Sequence, residues 1–398
     1  MVVNSGHIWP NGRVKIRTPL LDVCTLYASA DILKLIRDGQ AVTRSELMDQ
    51  TGLSRTTIGT RLAELTKRGL ISESGSAAST GGRPSGLLAF NAGAGVILTI
   101  DGGATRSSLA VSDLAGESLA ERSALRAIET GPEATLEWAT SELDAMLTSL
   151  GRGREDVWAV GVGLPGSVDA AGRPVSPQLM PGWDGFPVRD ALHEHYKVDV
   201  LVDNDVNVMA LGEARQHDPQ QQIVVVKAGT GVGLAYVADG TVLRGAQHAA
   251  GEIGHTQVPG HEDIQCSCGK RGCLQAVAGG QRMADRLTAA GIPCANTAEV
   301  AALARGGVPE AIATVREAGH AIGFVLATVV NILNPSRLVV AGDLTDARDF
   351  LLSALRETVY REANTLATSE LEIARARAGA RAGIIGTTTM ALEHALGS

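Results

Sequence analysis

Apolar side chains recur at helical spacing in three short segments near the amino terminus, and each segment has a start or stop signal beside it. The first predicted helix has a broad apolar face and ends at Asp38-Gly39. The second starts behind a capping box formed by Thr43 and Glu46. The third is capped by Ser54 and has apolar positions at i, i+4 and i+7. The predicted helices cover residues 30–37, residues 44–51 and the residues that follow Ser54.

Strand-like spacing follows the third helix. Gly69-Leu70-Ile71 opens a predicted strand, Leu87–Phe90 returns, and residues 74–85 form a Gly/Ser-rich tip, which together indicate a β-hairpin wing. The outer face of the third helix and the tip carry hydroxyl and guanidinium groups that can contact DNA bases and phosphates. The candidate DNA-contacting residues are Ser54, Arg55, Thr56, Thr57, Thr60, Arg61 and Arg83. A small helical bundle with a flexible linker is the alternative interpretation.

Charge separates this segment from the rest of the chain. Residues 1–92 have 11 Lys and Arg against 7 Asp and Glu, whereas residues 93–398 have 24 against 36. Phosphate contacts need Lys and Arg, so the basic segment favours a nucleic-acid module on an acidic body. We therefore divide the chain into an arm (1–28), a winged helix-turn-helix domain (29–92) and a larger domain (93–398).

From residue 95 onward, short buried strands alternate with Gly-rich turns and Ala-rich helices, which predicts an α/β fold. Two predicted strand hairpins, which begin near residues 96 and 223, have loops whose backbone amides could approach a phosphate, and an acidic residue there could hold hydrated Mg²⁺. An ordinary glycine turn is the alternative for the first. Two such hairpins predict duplicated halves that face each other across a cleft. The phosphate-loop candidates are Asp101, Gly103, Thr105, Gly229, Thr230 and Gly231.

Polar residues also follow a buried strand at Asn204-Asp205. Strand ends are where α/β proteins place their sites. The amide can hydrogen-bond a ligand, and the carboxylate could take a proton from a hydroxyl group, as phosphoryl transfer to an alcohol requires. The alternative is that Asp205 only caps the following helix.

Three of the five cysteines lie close together, downstream of a histidine. His255, Cys266, Cys268 and Cys273 form a set of four ligands suited to tetrahedral Zn²⁺, and a closed set of this kind predicts a structural metal. Free thiols beside a coincidental histidine are the alternative. Cys24 and Cys294 have the pattern of ordinary isolated or buried cysteines.

Glu252, His255 and Gln275 come together around the predicted metal loop. Clustered carboxylates and amides can accept from and donate to vicinal hydroxyl groups. We therefore predict that these three residues, with Asn204 and Asp205, bind a sugar, although a buried polar network would have the same pattern.

Composition narrows the class of protein. Of the 398 residues, 44% are hydrophobic and 20% are charged, and the net charge is −8, as in a folded globular protein. The longest apolar stretch, residues 321–333, is too short to span a bilayer. The start of the chain lacks the apolar core of a signal peptide. We therefore expect no membrane span and a cytoplasmic location.

These motifs resemble the ROK family of bacterial repressors and sugar kinases. The resemblance extends from about residue 30 to the end. It rests on these segments: TGLSRTTIGTRLAELTKRGLI, GGRPS, DGGATR, GVGLPGSVD, DNDVNVMALGE, AGTGVGLAYV, AAGEIGHTQV and CSCGKRGCL.

The resemblance implies an actin-like ATPase (ribonuclease H-like) fold with two lobes, a sugar site between them, a structural zinc and a homodimer or homotetramer. Lobe one would be about 93–215 with the C-terminal helix, and lobe two about 216–380. Asn204, Asp205, Glu252 and His255 match sugar contacts of the family, and Asp205 matches the catalytic base of its kinases.

Several positions depart from the kinase pattern. Gln275 stands where a glutamate is common, and Ala104 and Arg106 replace a glycine and a lysine of the first loop. Leu234 follows the second loop in place of further glycine, and Ala341-Gly342-Asp343 replaces a Gly-Gly turn near the nucleotide. Apart from the Gln275 change, which concerns ligand preference, these changes work against ATP.

The sequence therefore predicts a sugar-responsive transcriptional regulator, a repressor of carbohydrate-metabolism genes, that binds a palindromic operator as a symmetric oligomer. One alternative is an ATP- and Mg²⁺-dependent sugar kinase that keeps a DNA-binding module, with Asp205 as its base. Another is a DNA-binding scaffold with an inactive pocket.

Overall fold

The computed structural model describes residues 29–74, 86–103, 106–125, 128–175, 180–218 and 220–397. They form two compact units, the first ending at Asn91 and the second beginning at Ala92. Three sequence predictions lie outside the described residues: the amino-terminal arm, Arg83 at the hairpin tip, and Thr105 in the first phosphate loop.

The first unit has the helices and the hairpin that the apolar pattern predicts. Thr43 and Glu46 form the capping box, and Ser54 Oγ accepts a hydrogen bond from Thr57 N at 3.1 Å. The two strands pair antiparallel, with Ile71 opposite Phe90. Its elements are α1 (Ser29–Arg37), α2 (Arg44–Thr51), α3 (Arg55–Lys67), β1 (Ile71–Ser74) and β2 (Leu87–Phe90).

The second unit contains two five-stranded sheets, and the first comes from the first half of that unit. Its strand order is β5-β4-β3-β6-β7, antiparallel on one side of β3 and parallel on the other. Helices α4 and α5 share a buried apolar core with this sheet. The elements are β3 (Val96–Gly102), β4 (Ser107–Asp113), β5 (Ser118–Ala124), α4 (Pro132–Ser149), β6 (Val157–Leu164), α5 (Val188–Tyr196), β7 (Asp199–Asn204) and α6 (Asp205–Ala214).

The second sheet repeats that arrangement, with the order β10-β9-β8-β11-β12. Two antiparallel strands again lie on one side of the central strand and two parallel strands on the other, so the predicted duplication is confirmed. The elements are β8 (Ile223–Ala228), β9 (Val232–Ala238), β10 (Thr241–Val242), α7 (Leu274–Ala278), α8 (Gly280–Ala289), α9 (Thr297–Arg305), α10 (Pro309–Leu333), β11 (Arg337–Ala341), α11 (Phe350–Glu362), α12 (Thr365–Thr368), β12 (Glu372–Arg375) and α13 (Ala382–Leu396).

The hairpin strands extend further into the loops than the sequence indicates. Asp101 pairs with Ser108 inside the first hairpin, and Val232 pairs with Ala228 inside the second. Because ladder pairing continues to the turn, Asp101 belongs to a strand rather than to a free loop. The backbone available for phosphate contacts is correspondingly shorter.

Helix α10 is long and apolar enough to cross a membrane, and no other helix among the described residues is. The apolar stretch identified from the sequence, residues 321–333, is only the C-terminal part of this helix. In the structure, α10 lies in the core of the second half and packs along α11. Glycine allows close contact, since a Cβ at Gly319 would lie 2.6 Å from Leu351 O. The face that packs on α11 is therefore buried inside the protein, while Phe324 and Ile332 of the same helix are exposed.

Helices α6 and α13 connect the two sheets. Helix α6 packs on β8 and β9, α13 packs on β3 and β6, and the two helices pack against each other. Their backbones nearly touch, because a Cβ at Gly386 would lie 1.6 Å from Val208 O and one at Gly212 would lie 2.0 Å from Ala382 O. Glycine at both positions makes this crossing possible.

Candidate functional site

A cavity of about 210 Å³ opens between the two halves of the second unit. The ends of β6 and β7 form one side, and the residues around β8, β9 and α7 form the other. All five residues predicted to bind sugar line it: Asn204, Asp205, Glu252, His255 and Gln275. Sequence spacing alone gave no distance between the 204–205 and 252–275 segments, which the fold brings together.

Asn204 rather than Asp205 caps helix α6. Asn204 Oδ1 accepts hydrogen bonds from Val206 N at 2.8 Å and Asn207 N at 3.2 Å, and Nδ2 donates to Gly166 O at 2.7 Å. The capping alternative considered for Asp205 is therefore wrong. The Asp205 carboxylate is buried in the cavity wall and makes a different contact.

That contact is an ion pair with Lys227, near the end of β8. Burial and the neighbouring Asp205 raise the pKa of Asp101 to about 6, while Lys227 acts in the opposite direction. Burial lowers the pKa of the Lys227 ammonium, but Asp205 and Asp101 outweigh this effect and raise it above its ordinary value. Lys227 was not predicted from the sequence, because a single lysine at a strand end carries no motif.

Glu252 and Gln275 are held in place by hydrogen bonds. Glu252 Oε1 accepts from Ser167 Oγ at 2.6 Å, across the cavity. Gln275 Oε1 accepts from Val232 N at 2.8 Å, and its Nε2 donates to Thr230 O at 3.4 Å. The Gln275 amide therefore orients the second phosphate loop as well as lining the cavity.

Of the two phosphate loops, only the second contributes described residues to the cavity wall. Thr230 and Gly231 line it, and Gly229 N donates to Gly231 O at 3.0 Å within the turn. In the first loop, Gly103 N donates to Arg106 O at 2.9 Å, and a Cβ at Gly103 would lie 2.4 Å from the same oxygen. The first loop thus needs glycine for its own closure.

The four predicted metal ligands form one cluster. The ligand atoms of His255, Cys266, Cys268 and Cys273 all lie within 4.8 Å of one another. Cys268 Sγ and Cys273 Sγ are 3.7 Å apart, and Cys266 Sγ lies 3.9 Å from His255 Nδ1. A tetrahedron with zinc–sulfur bonds of ~2.3 Å has edges of about 3.8 Å. The cluster therefore has the spacing of a four-coordinate metal site.

The metal cluster and the cavity share a wall. His255 and Ser267 line the cavity, and Cys266 and Cys273 are buried behind it. Ser167 and His248 also line the cavity, although neither was predicted as a ligand contact. The segment GSVD, which follows β6, could have indicated Ser167, whereas His248 has no sequence signal.

The predicted DNA-contacting residues of α3 divide into two groups. Arg55, Thr56 and Thr60 are exposed, and Ser54 caps the helix. Arg61 instead contacts α1, because its Nη1 donates to Ser29 Oγ at 3.3 Å, and it lies 3.9 Å from Glu64 Oε2. Ser54, Arg55, Thr56 and Thr60 therefore have exposed side chains, whereas the Arg61 guanidinium also packs on α1.

Sequence comparison assigns both units. The profile of winged helix-turn-helix DNA-binding domains matches residues 30–72, and that of the ROK family matches residues 97–394. The chain belongs to the ROK family. The duplicated sheets and the cavity between them are the parts of this ROK protein to which the second match applies.

Its relatives include regulators and kinases. The xylose repressor of Caldicellulosiruptor bescii is 26% identical over 92% of this chain and 95% of its own length. The glucokinase of Halalkalibacterium halodurans is 31% identical over 61% of this chain and 79% of its own. The crystal structure of a ROK family transcriptional regulator, described as a homolog of the E. coli MLC protein, has a TM-score of 0.77 at 24% identity. The structural match covers 92% of this chain and 95% of the chain in that crystal structure.

Proposed function

We propose that this ROK protein is a sugar-responsive, DNA-binding repressor of carbohydrate genes. The first turn of α3 enters the major groove of an operator, and a sugar binds among Asn204, Asp205, Glu252, His255 and Gln275. The observation that carries the proposal is that one chain combines a winged helix-turn-helix unit with a cavity whose wall holds these acceptors and donors together.

The lengths of the matches support the regulator over the kinase. The xylose repressor matches 92% of the chain, including the DNA-binding unit, whereas the glucokinase matches 61%. Operator DNA and a sugar are the partners that this function requires, and a protein with these partners would act in the cytoplasm. A symmetric homodimer or homotetramer would present two α3 helices to the two halves of a palindrome.

Operator binding measured by fluorescence anisotropy tests this function. The protein is titrated onto fragments of its own upstream region, and the complex is then challenged with xylose, glucose, N-acetylglucosamine, their phosphates and oligosaccharides. We expect one sugar to release DNA. Unchanged operator binding with every sugar, or no fragment bound, would contradict the proposal.

We further propose that the His255, Cys266, Cys268 and Cys273 cluster holds a structural Zn²⁺. Four protein ligands leave no open position for a reacting water, so the ion would stabilise the loop rather than take part in chemistry. Because His255 also lines the cavity, the ion would fix one wall of the sugar site.

A sugar kinase is the second candidate, favoured by the glucokinase match and by Thr230 in the cavity wall. Asp205 would be the base, and ATP with Mg²⁺ would be required. A coupled assay for ADP release, with Asp205→Asn as the control, separates the two functions. Sugar-dependent turnover that Asp205→Asn abolishes would establish the kinase.

A further inference from the structure

Lys227 is a cation that the proposed sugar contacts leave without a role. Its ammonium donates to Asp205 Oδ2, and it lines the cavity together with Thr230. Its alkyl chain runs beside the second phosphate loop, because a Cβ at Gly229 would lie 3.5 Å from Lys227 Cε. The side chain therefore lies between the loop and the carboxylate that a kinase would use as its base.

Asp205 is paired with this ammonium, and two further carboxylates lie near enough to act on its charge. Besides Asp205, both Asp101 and Asp343 act electrostatically on Lys227, and together they keep its pKa above the ordinary value despite burial. Asp343 follows Gly342, whose φ of 95° brings this turn against the end of β8, the strand that carries Lys227. A Cβ at Gly342 would lie 2.5 Å from Ala228 O. The positive charge of Lys227 therefore interacts electrostatically with three carboxylates.

This arrangement is unfavourable for a nucleotide. Mg²⁺ in phosphate sites is bound by one or two carboxylates together with phosphate oxygens. Here, the Lys227 ammonium is already paired with the Asp205 carboxylate. No arginine and no other lysine lines the described part of the cavity, so no further cation of this kind offsets the negative charge of an added phosphate. A lysine beside a phosphate loop can instead bind phosphate directly, but the Lys227 ammonium forms its ion pair with Asp205.

We propose that Lys227 determines the ligand specificity of the cleft: its ammonium is a built-in counter-ion that excludes magnesium nucleotides and leaves a neutral sugar as the ligand. The neutral sugar rests on the proposed function above. The exclusion of nucleotides is independent of DNA binding and is tested separately.

Isothermal titration of the full-length protein with the ATP analogue AMPPNP, with and without Mg²⁺, tests the exclusion. We expect the wild type to show no binding at millimolar analogue. Lys227→Ala frees the carboxylates, so it should bind the Mg²⁺ complex at least tenfold more tightly, and should lose that binding in EDTA. Mg²⁺ alone should raise the Tm of Lys227→Ala and leave the wild-type Tm unchanged.

Two further variants complete the experiment. Lys227→Arg keeps the charge and should bind no nucleotide, and Lys227→Gln, which keeps a donor for Asp205, replaces Lys227→Ala if that variant does not fold. The proposal is overturned if the folded neutral variants bind no better than the wild type. It is also overturned if the wild type binds magnesium AMPPNP and Lys227→Ala weakens that binding, since Lys227 would then be a phosphate ligand. A missing sugar response would affect only the proposed function.

Discussion

Asp101 shows what one partly buried carboxylate does to the stability of the fold. Burial, and then the charge of Asp205, raise its pKa from 3.8 to about 6, against the opposing effect of Lys227. The folded state therefore prefers the protonated acid. The stability that this preference contributes is fully present below about pH 3.8 and is lost as the pH rises through about 6.

Asp101→Asn should therefore stabilise the protein at neutral and alkaline pH. Asparagine stays neutral, so the gain in the free energy of unfolding should grow between about pH 4 and pH 6 and level off above pH 7. We expect about 1–2 kcal/mol, below the ~3 kcal/mol of a full two-unit shift, because water still reaches part of the carboxylate. Urea unfolding from pH 4 to pH 8 measures it. Exposed Asp285→Asn is the control, and an equal gain at all pH values would contradict the assignment.

Residue-level reasoning succeeded where the interaction is local. The caps at Thr43 and Ser54 depend on neighbours three residues away, and the sequence predicts them correctly. Lys227 could not be predicted, since its partner Asp205 lies 22 positions earlier and meets it only when α6 packs on β8. The contact of Arg61 with Ser29, 32 positions away, is equally non-local, so the sequence could not show that this predicted DNA contact also packs on α1.

At the scale of the element, helix α3 has one arginine available for DNA binding, Arg55, and another that packs on α1, Arg61. Arg55 is exposed in its first turn, so Arg55→Ala should weaken operator binding roughly 5- to 100-fold. It should also reduce the slope of the logarithm of operator affinity against the logarithm of salt concentration by about one. Arg61→Ala should instead lower the Tm of the first unit through the lost contact with α1. Anisotropy at several salt concentrations, together with thermal unfolding, separates the two effects. Exposed Arg282→Ala is the control, and unchanged affinity in Arg55→Ala would show that another surface reads DNA.

The metal loop is the second element with a testable role. Cys268→Ser removes one of four ligands, so the protein should lose its zinc on dialysis against a chelator and unfold at a lower temperature. Metal analysis and thermal unfolding are the measurements. Cys294→Ser, a cysteine outside the cluster, should keep the metal. A Cys268→Ser protein that retains both zinc and stability would argue against a structural site.

The elements of the fold were more predictable than their spatial arrangement. Two Gly-containing hairpins predicted the duplication because each half repeats the same local pattern, and the strand orders match. The α6–α13 crossing was not predictable, since Gly212 and Gly386 look like ordinary helix glycines until their helices meet. This crossing matters for the whole molecule, because it joins the half that carries β7 to the half that carries β8.

At the scale of the molecule, polar contacts link the two halves across the cavity. Ser167 Oγ donates to Glu252 Oε1 at 2.6 Å, and Lys227 pairs with Asp205. Arg244 also pairs with Asp203, at 2.8 Å. A sugar cannot replace apolar contacts between the two halves. Its hydroxyl groups can, however, replace hydrogen bonds between them. A sugar can therefore change how the halves are held with little loss of buried apolar surface.

Glu252 is the contact at which this exchange can be tested. Replacing a hydrogen bond to a charged group costs about 1.5–3 kcal/mol, so Glu252→Gln should require roughly 10- to 100-fold more sugar to release the operator. Sugar-free operator affinity should stay within about twofold, because the glutamine amide oxygen can still accept the hydrogen bond from Ser167 Oγ and residue 252 lies outside the DNA-binding unit. Anisotropy titrations of sugar into preformed complexes measure both quantities, with exposed Glu310→Gln as the control. Coupling between ligand and DNA sites is typically 1–3 kcal/mol, or about 5- to 150-fold in operator affinity, which such titrations resolve. An unaltered sugar response in Glu252→Gln would place the effector somewhere other than this cavity.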